Sequence, residues 1–239
     1  MADSIREQIL TAFGQRLTSI LKTNQYHSDI GENVLRSQLP RINSAVVPAV
    51  GYHLDTEENT ELYKSKEVNE LPIRVQGVEH FGSVLPPIMA EKLYADICEC
   101  VLSDELTLGF DSGGTTEIHA GDTITGETSA ATALVISVTK DSGTWAGGDA
   151  AGSFLLRRVV GTFDNNEEIT ADGSPGLSTV DGTGTWQQRI ELSTANLVDA
   201  ITFVAGEVYM PESDGTTVAA LVVFNIKYKT IAGNPYSQT

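Results

Sequence analysis

Basic residues are scarce in this chain, with 15 Lys and Arg against 32 Asp and Glu over 239 residues, for a formal net charge of −17. Such a balance repels phosphate, which excludes a broad basic face for reading DNA, although an acidic wall beside DNA, as in a conduit, stays open. Cysteine is nearly absent too, at two residues. Cys98 and Cys100 lie in a segment of helical patterning, where about 100° per residue sends them to different sides, so neither a disulfide nor a shared metal is expected. No apolar run approaches the roughly 20 residues that cross a bilayer. Met1-Ala2-Asp3-Ser4 has no basic-then-apolar leader pattern, and the expectation is a protein made and kept in the cytoplasm.

Motifs that carry chemistry are equally rare, and each candidate breaks its template. Asp111-Ser112-Gly113-Gly114 is similar to the surroundings of the nucleophile in trypsin-like proteases, but Phe110 stands where Gly is expected and no histidine lies in a partner motif. It reads as a flexible entry into the segment that follows. His27-Ser28-Asp29 and His53-Leu54-Asp55 repeat a His-x-Asp spacing that on a strand turns two ligands to one side; a pair alone does not define a metal site. Asp164-Asn165-Asn166-Glu167-Glu168 alternates oxygen ligands as a calcium loop does, yet Ile169 occupies the place of the turn glycine and Pro175 that of the bidentate Glu. Gly147-Gly148-Asp149-Ala150-Ala151-Gly152 lacks the Lys-Ser/Thr and the helix of a phosphate loop. No catalytic residue, metal ligand or cofactor is assigned, and the chain is not expected to be an enzyme.

The pattern of elements is more informative. Ser4 and Glu7 form a capping-box signature ahead of Ile5, Ile9, Phe13, Leu17, Ile20 and Leu21, which predicts a helix from Ile5 to about Lys22. A β-branched run, Ala45 to Val50, contains Pro48, which places that strand at an edge, or Pro48 at its start or at a bulge. Leu71, Ile73 and Val75 alternate with Arg74 and Gln76 as a strand with one wet face. Pro86-Pro87 opens a second helix, with Met89, Leu93, Ile97 and Val101 every fourth residue, that stops near Ser103-Asp104. Past Leu197, Ala200 to Val204 and the alternation from Val218 to Tyr228 predict an antiparallel hairpin around Pro211 to Gly215. Ala232 to Ser237 has no partner in its own pattern and is expected to lie extended on the surface or on a neighbour.

Residues 109–196 differ in kind, being rich in Gly, Thr, Ser and Asp, without helical period and internally duplicated. Gly121-Asp122-Thr123-Ile124-Thr125 leads to Gly143-Thr144-Trp145, as Asn166-Glu167-Glu168-Ile169-Thr170 leads to Gly184-Thr185-Trp186. Two β-units too small to bury a face alone would stack through these tryptophans and through strands such as Ala133 to Val138 and Phe154 to Val160. The expected organisation is thus 1–108 and 197–239 as one α/β domain, with 109–196 an all-β domain inserted in it.

The outer segments resemble bacteriophage tail terminators. The resemblance is carried by Ile5-Arg6-Glu7-Gln8-Ile9-Leu10, Tyr26-His27-Ser28-Asp29-Ile30-Gly31, Leu71-Pro72-Ile73-Arg74-Val75, and Phe224 to Thr230 followed by Gly233-Asn234-Pro235-Tyr236. It implies an α+β fold: a two-layer helix-on-antiparallel-sheet domain, interrupted here by the β insert. It also implies a structural virion protein of the tail and neck, assembled in the host cytoplasm. In that family the subunits form a ring, usually a hexamer, that caps the tail tube, halts its polymerisation and meets head-completion or stopper proteins while DNA passes through the lumen. Pro48 and Gly233, Asn234, Pro235 and Tyr236 are the expected subunit contacts. The alternative is a virion surface module whose insert binds host glycans through Trp145 or Trp186.

Overall fold

Ser4 opens the first helix as expected: its hydroxyl accepts from the Glu7 N–H, and α1 runs Ile5–Leu17. The Glu7 side chain does not close the capping box; it pairs with Arg36 instead. The helix stops short of Lys22 because hydroxyls take its last carbonyls, Thr18 Oγ1 donating to Gln15 and Ser19 Oγ to Arg16. The computed structural model describes residues 3–36, 42, 44–55, 58–63, 66–114, 116–171, 174–187, 198–210 and 215–237, with the side chains of 44, 58–63, 174–177, 183 and 185–187 outside that description.

After α1 come β1 (Val34–Arg36), β2 (Ala49–Leu54), β3 (Glu58–Tyr63) and β4 (Lys66–His80), then α2 (Pro86–Leu102). Six strands follow: β5 (Glu105–Gly113), β6 (Thr123–Gly126), β7 (Thr132–Ser142), β8 (Ala150–Val160), β9 (Glu168–Ala171) and β10 (Ser174–Gln187). The chain ends in β11 (Ala200–Tyr209) and β12 (Thr217–Ile231). It forms two compact units, Met1–Leu102 with Ile190–Thr239, and Ser103–Arg189. Residues 103–108 thus belong with the second unit, where Leu106 and Leu108 are core.

In the first unit the sheet order is β1-β2-β4-β12-β11, with β3 also paired to β4. β12 is the strand that the alternation from Val218 to Tyr228 predicts, buried at every second residue. β4, at 15 residues, is three times the length that Leu71 to Val75 announces. Its charged first third, Lys66 to Glu70, is a poor strand sequence held by its neighbours, with Asn69 Nδ2 donating to Thr230 Oγ1 across the ladder at 3.2 Å. Phe13, Tyr52, Ile73, Ile97 and Phe224 meet in one buried cluster. Each such side chain contributes about 1.5–3 kcal/mol on leaving water.

The turn Tyr26 to Gly31 is fixed from two sides. Asp96, buried on α2, accepts from the His27 N–H at 3.0 Å and from the Ser28 hydroxyl at 2.6 Å, and burial raises its pKa despite these bonds. Gly31 rests on the end of α1, where an added Cβ would stand 2.8 Å from the carbonyl oxygens of Leu17 and Thr18.

The expected fold class is corrected by this architecture. Strand dominates, with two α-helices against twelve strands among the described residues. The first sheet is mixed, because β1 runs parallel to β2 while the other pairs are antiparallel. The second unit closes on itself as a six-stranded barrel. An antiparallel sheet carrying a layer of helices therefore does not describe the chain. The parallel pair escapes a reading by alternation, since Val34-Leu35-Arg36 is too short to show a period.

Around the barrel the strands run β10-β5-β8-β7-β6-β9. The duplicated segments are its paired strands β6 and β9, which join antiparallel through Thr125 and Thr170. Their turns match bond for bond. His119 N–H donates to the Asp122 carboxylate and Asp164 N–H to that of Glu167, while Val135 and Val180 each exchange two backbone bonds with the turn of their own repeat. The longer Glu167 also crosses to the other repeat, where its carboxylate accepts from the Thr128 and Ser129 N–H groups and the Ser129 hydroxyl at 2.8–3.1 Å. Burial opposes its charge, but the donors from Ser129, Asp164 and Thr128 outweigh it and hold the carboxyl below its ordinary value. The Gly-Thr-Trp ends differ. Gly143-Thr144-Trp145 turns off β7 as a 3-10 turn, whereas Gly184-Thr185-Trp186 stays on β10, with Trp186 opposite Leu106.

Two predictions follow from these anchors. Gly31→Ala forces backbone at the end of α1 to move, and should lower stability by about 1–3 kcal/mol in chemical denaturation. A depressed Glu167 pKa means a stabilisation complete above the ordinary value of 4.5 and lost as pH falls through the folded value. Glu167→Gln should therefore cost about 1–3 kcal/mol at pH 7, and the gap to the native protein should close in acid; a gap that is unchanged at pH 3 would refute the role of the charge.

Candidate subunit interface

β11 lies at one end of the first sheet, and among the described residues β12 is its one ladder partner. It carries a bulge: Phe203 stands opposite Phe224 and Ala205 opposite Val223, so Val204 is the extra residue. The bulge switches the strand's faces. Before it Phe203 turns to α2, its ring edge-on to Tyr94 at 6.4 Å; after it Gly206 and Val208 take that side, and a Cβ on Gly206 would strike the Tyr94 ring. Glu207 and Tyr209 consequently point to the opposite face, where the Tyr209 hydroxyl donates to Glu207 Oε1. That bond to a carboxylate, with some burial, raises the tyrosine's pKa.

Strand edges are normally blunted by charge, proline or brevity. This one is long and apolar. Phe203 is 45% exposed, Val204 57%, Tyr209 43% and Met210 45%. Four large apolar side chains exposed along one edge are the pattern of an association surface. The sequence signal for it is the presence of apolar residues on both faces, Ile201 and Phe203 beside Val204 and Tyr209, in a strand that a one-sided core would leave polar on one face.

Pro48 directly precedes β2, and its carbonyl accepts from Asn33 Nδ2 at 2.9 Å. β2 pairs on both sides, with β1 and β4, so of the expected alternatives Pro48 stands at the start of a strand and not on an edge strand. The closing residues are not an extended arm. Gly233, at φ +74°, turns the chain so that Asn234 bridges back to Ile231 and the Pro235 carbonyl accepts the Ile5 N–H at the start of α1. The turn supplies an acceptor to one of the helix's unsatisfied N–H groups, which the local pattern does not reveal. Tyr236 remains 52% exposed beside it.

The glycan contact proposed for Trp145 is likewise corrected, because its ring is buried in the barrel and stacked on Phe110 at 5.3 Å. The Trp186 side chain lies outside the described residues. His27 gives its backbone N–H to Asp96, and Asp29 is paired with Lys22 at 2.8 Å. Glu167 spends its oxygens on N–H and O–H donors, and Gly113 of the Asp-Ser-Gly-Gly run is a β5 residue opposite Ala150. Cys98 is half-buried and Cys100 buried, and neither is in a disulfide. Among the described residues no group of three or more His, Cys, Asp or Glu is placed to hold a metal ion. No helix among them is long and apolar enough to cross a membrane.

A second feature lies at the β1 end of the sheet. A cavity of about 590 Å³ is lined by Arg6, Leu10, Arg36, Tyr52, His53, Leu54 and Asp55. Arg36 forks onto Glu7, Nη2 to Oε2 at 2.9 Å, and the pair depresses the Glu7 pKa. Burial, and then the neighbouring Arg74, lower the pKa of His53 against the pull of Asp55, which is itself paired with Arg74 at 2.7 Å.

No protein-family model matches the chain, and no curated protein matches it at a significant level.

The exposed edge generates a prediction. Val204→Lys, at a bulge with more than half its surface in solvent, should leave the unfolding midpoint within about 0.5 kcal/mol of the native protein. If the edge is an interface, the same change abolishes self-association in sedimentation velocity; undiminished association would remove β11 from it.

Proposed function

We propose that the chain is a structural phage virion protein that assembles through the β11 edge into a ring, hexameric by its resemblance to tail terminators. The ring caps the tail tube, stops its polymerisation and offers a face to head-completion proteins, with DNA passing through the lumen. The observation that carries this reading is the apolar β11 edge, with Phe203, Val204, Tyr209 and Met210 exposed. A growing tube propagates because each added subunit leaves an open surface; a terminator must consume its own edges, and a ring of heterologous contacts does so. The net charge of −17 suits a lumen that conducts DNA without gripping it. The resemblance of short segments to tail terminators supports a place in the tail and neck of the virion.

The test pairs native mass spectrometry with electron microscopy. The purified protein, alone and with tail tubes, is expected as a closed oligomer of defined copy number, and tubes grown in its presence should stop at uniform length. Overlong tubes, with the protein monomeric under both conditions, would reject the proposal.

A further inference from the structure

Ring closure by identical subunits needs two unlike, complementary surfaces on each copy. The sheet ends in two such places, β11 at one end and β1 at the other. Resting on the ring reading above, we infer that the cavity at the β1 end receives Glu207 and Tyr209 of a second copy of this chain.

The chemistry of the two ends is complementary. Cationic side chains are scarce at 15 in the whole chain, yet Arg6 and Arg36 line this one cavity, whose one lining carboxylate, Asp55, is paired with Arg74 at 2.7 Å. Glu7 takes two of the N–H groups of Arg36, and a guanidinium has five, so Arg36 keeps donors for a second carboxylate. Leu10, Tyr52 and Leu54 supply an apolar wall, and about 590 Å³ is ample for one phenol ring and a carboxylate. The opposite end presents that pair. Glu207 and Tyr209 lie on one face of β11 because the bulge at Val204 puts them there, and the hydroxyl of Tyr209 uses Glu207 Oε1, leaving Oε2 for an outside donor. The tyrosine seats against the apolar wall, and Glu207 meets Arg36. Association of a subunit carrying −17 is then steered by a local pair of opposite sign against the general repulsion.

The test uses the full chain and charge reversal with mixing. Glu207→Lys and Arg36→Glu are made singly, with Arg36→Gln and Tyr209→Ala as milder variants, and thermal unfolding identifies those that remain folded. Native mass spectrometry and sedimentation then measure assembly alone and in an equimolar mixture of the two reversed variants. Each folded single variant should assemble at least tenfold more weakly than the native chain, and the mixture should recover oligomers of even copy number alternating the two variants. Recovery in the mixture would show that a weak single variant has lost its complement rather than its fold.

Native-like assembly of Glu207→Lys and Tyr209→Ala overturns the inference, as does a mixture that stays dissociated or a native chain that is monomeric at every concentration. Thermal stabilisation by inorganic phosphate that requires Arg36, with assembly unaffected by any variant, would make the cavity a small-anion site and equally overturn it. Rings that form by these rules but leave tube growth unchanged would reject the terminator reading alone. Tube capping that survives all four substitutions would reject the present inference alone.

Discussion

The ladder between β4 and β12 is the constraint on which the first unit depends. It runs without a register shift from Lys66 opposite Ile231 to His80 opposite Thr217, and it joins stretches of chain separated by the whole barrel. Every other strand of that sheet is placed by it: β2 and β3 attach to β4, and β11 attaches to β12. Pairing at such sequence separation is entropically expensive, and the buried row that Ile73, Val75, Val222 and Phe224 form with the helices offsets it.

The barrel solves a different problem. Two related hairpins expose edges that neither could cover alone, and pairing β6 to β9 on one side and β5 to β8 on the other leaves none. Within this symmetric plan the repeats have diverged where length matters. Asp122 closes only its own turn, while the extra methylene of Glu167 lets one carboxylate tie both repeats together. Gly126 has to lack a side chain for this, since a Cβ there would stand 2.5 Å from the Glu167 carboxylate.

The two units therefore handle their edges in opposite ways. The barrel's strands are all paired, whereas the first sheet ends in β11, whose apolar side chains a soluble monomer would be expected to hide. At the far end of the same sheet, Arg6 and Arg36 line a cavity together with Asp55.

Much of the local structure is legible in the residues themselves. The stripe Met89, Leu93, Ile97 and Val101 behind Pro86-Pro87 specifies α2, the alternation from Val218 to Tyr228 specifies β12, and the repeated acidic turn before Ile-Thr marks β6 and β9, because burial on one face imposes a period that the chain must carry. Composition likewise sets the acidic surface. What tertiary structure alone decided depends on partners distant in sequence. Val34 to Arg36 becomes a parallel strand only beside β2, and the charged start of β4 is a strand only between its neighbours. Pro48 precedes an interior strand because β1 covers β2, and the Gly233 to Tyr236 turn folds back because its Pro235 carbonyl meets the N–H of Ile5 at the other end of the chain. The interface candidate is of this second kind, since whether an apolar strand such as β11 is core or edge is settled by how many other strands the fold places beside it.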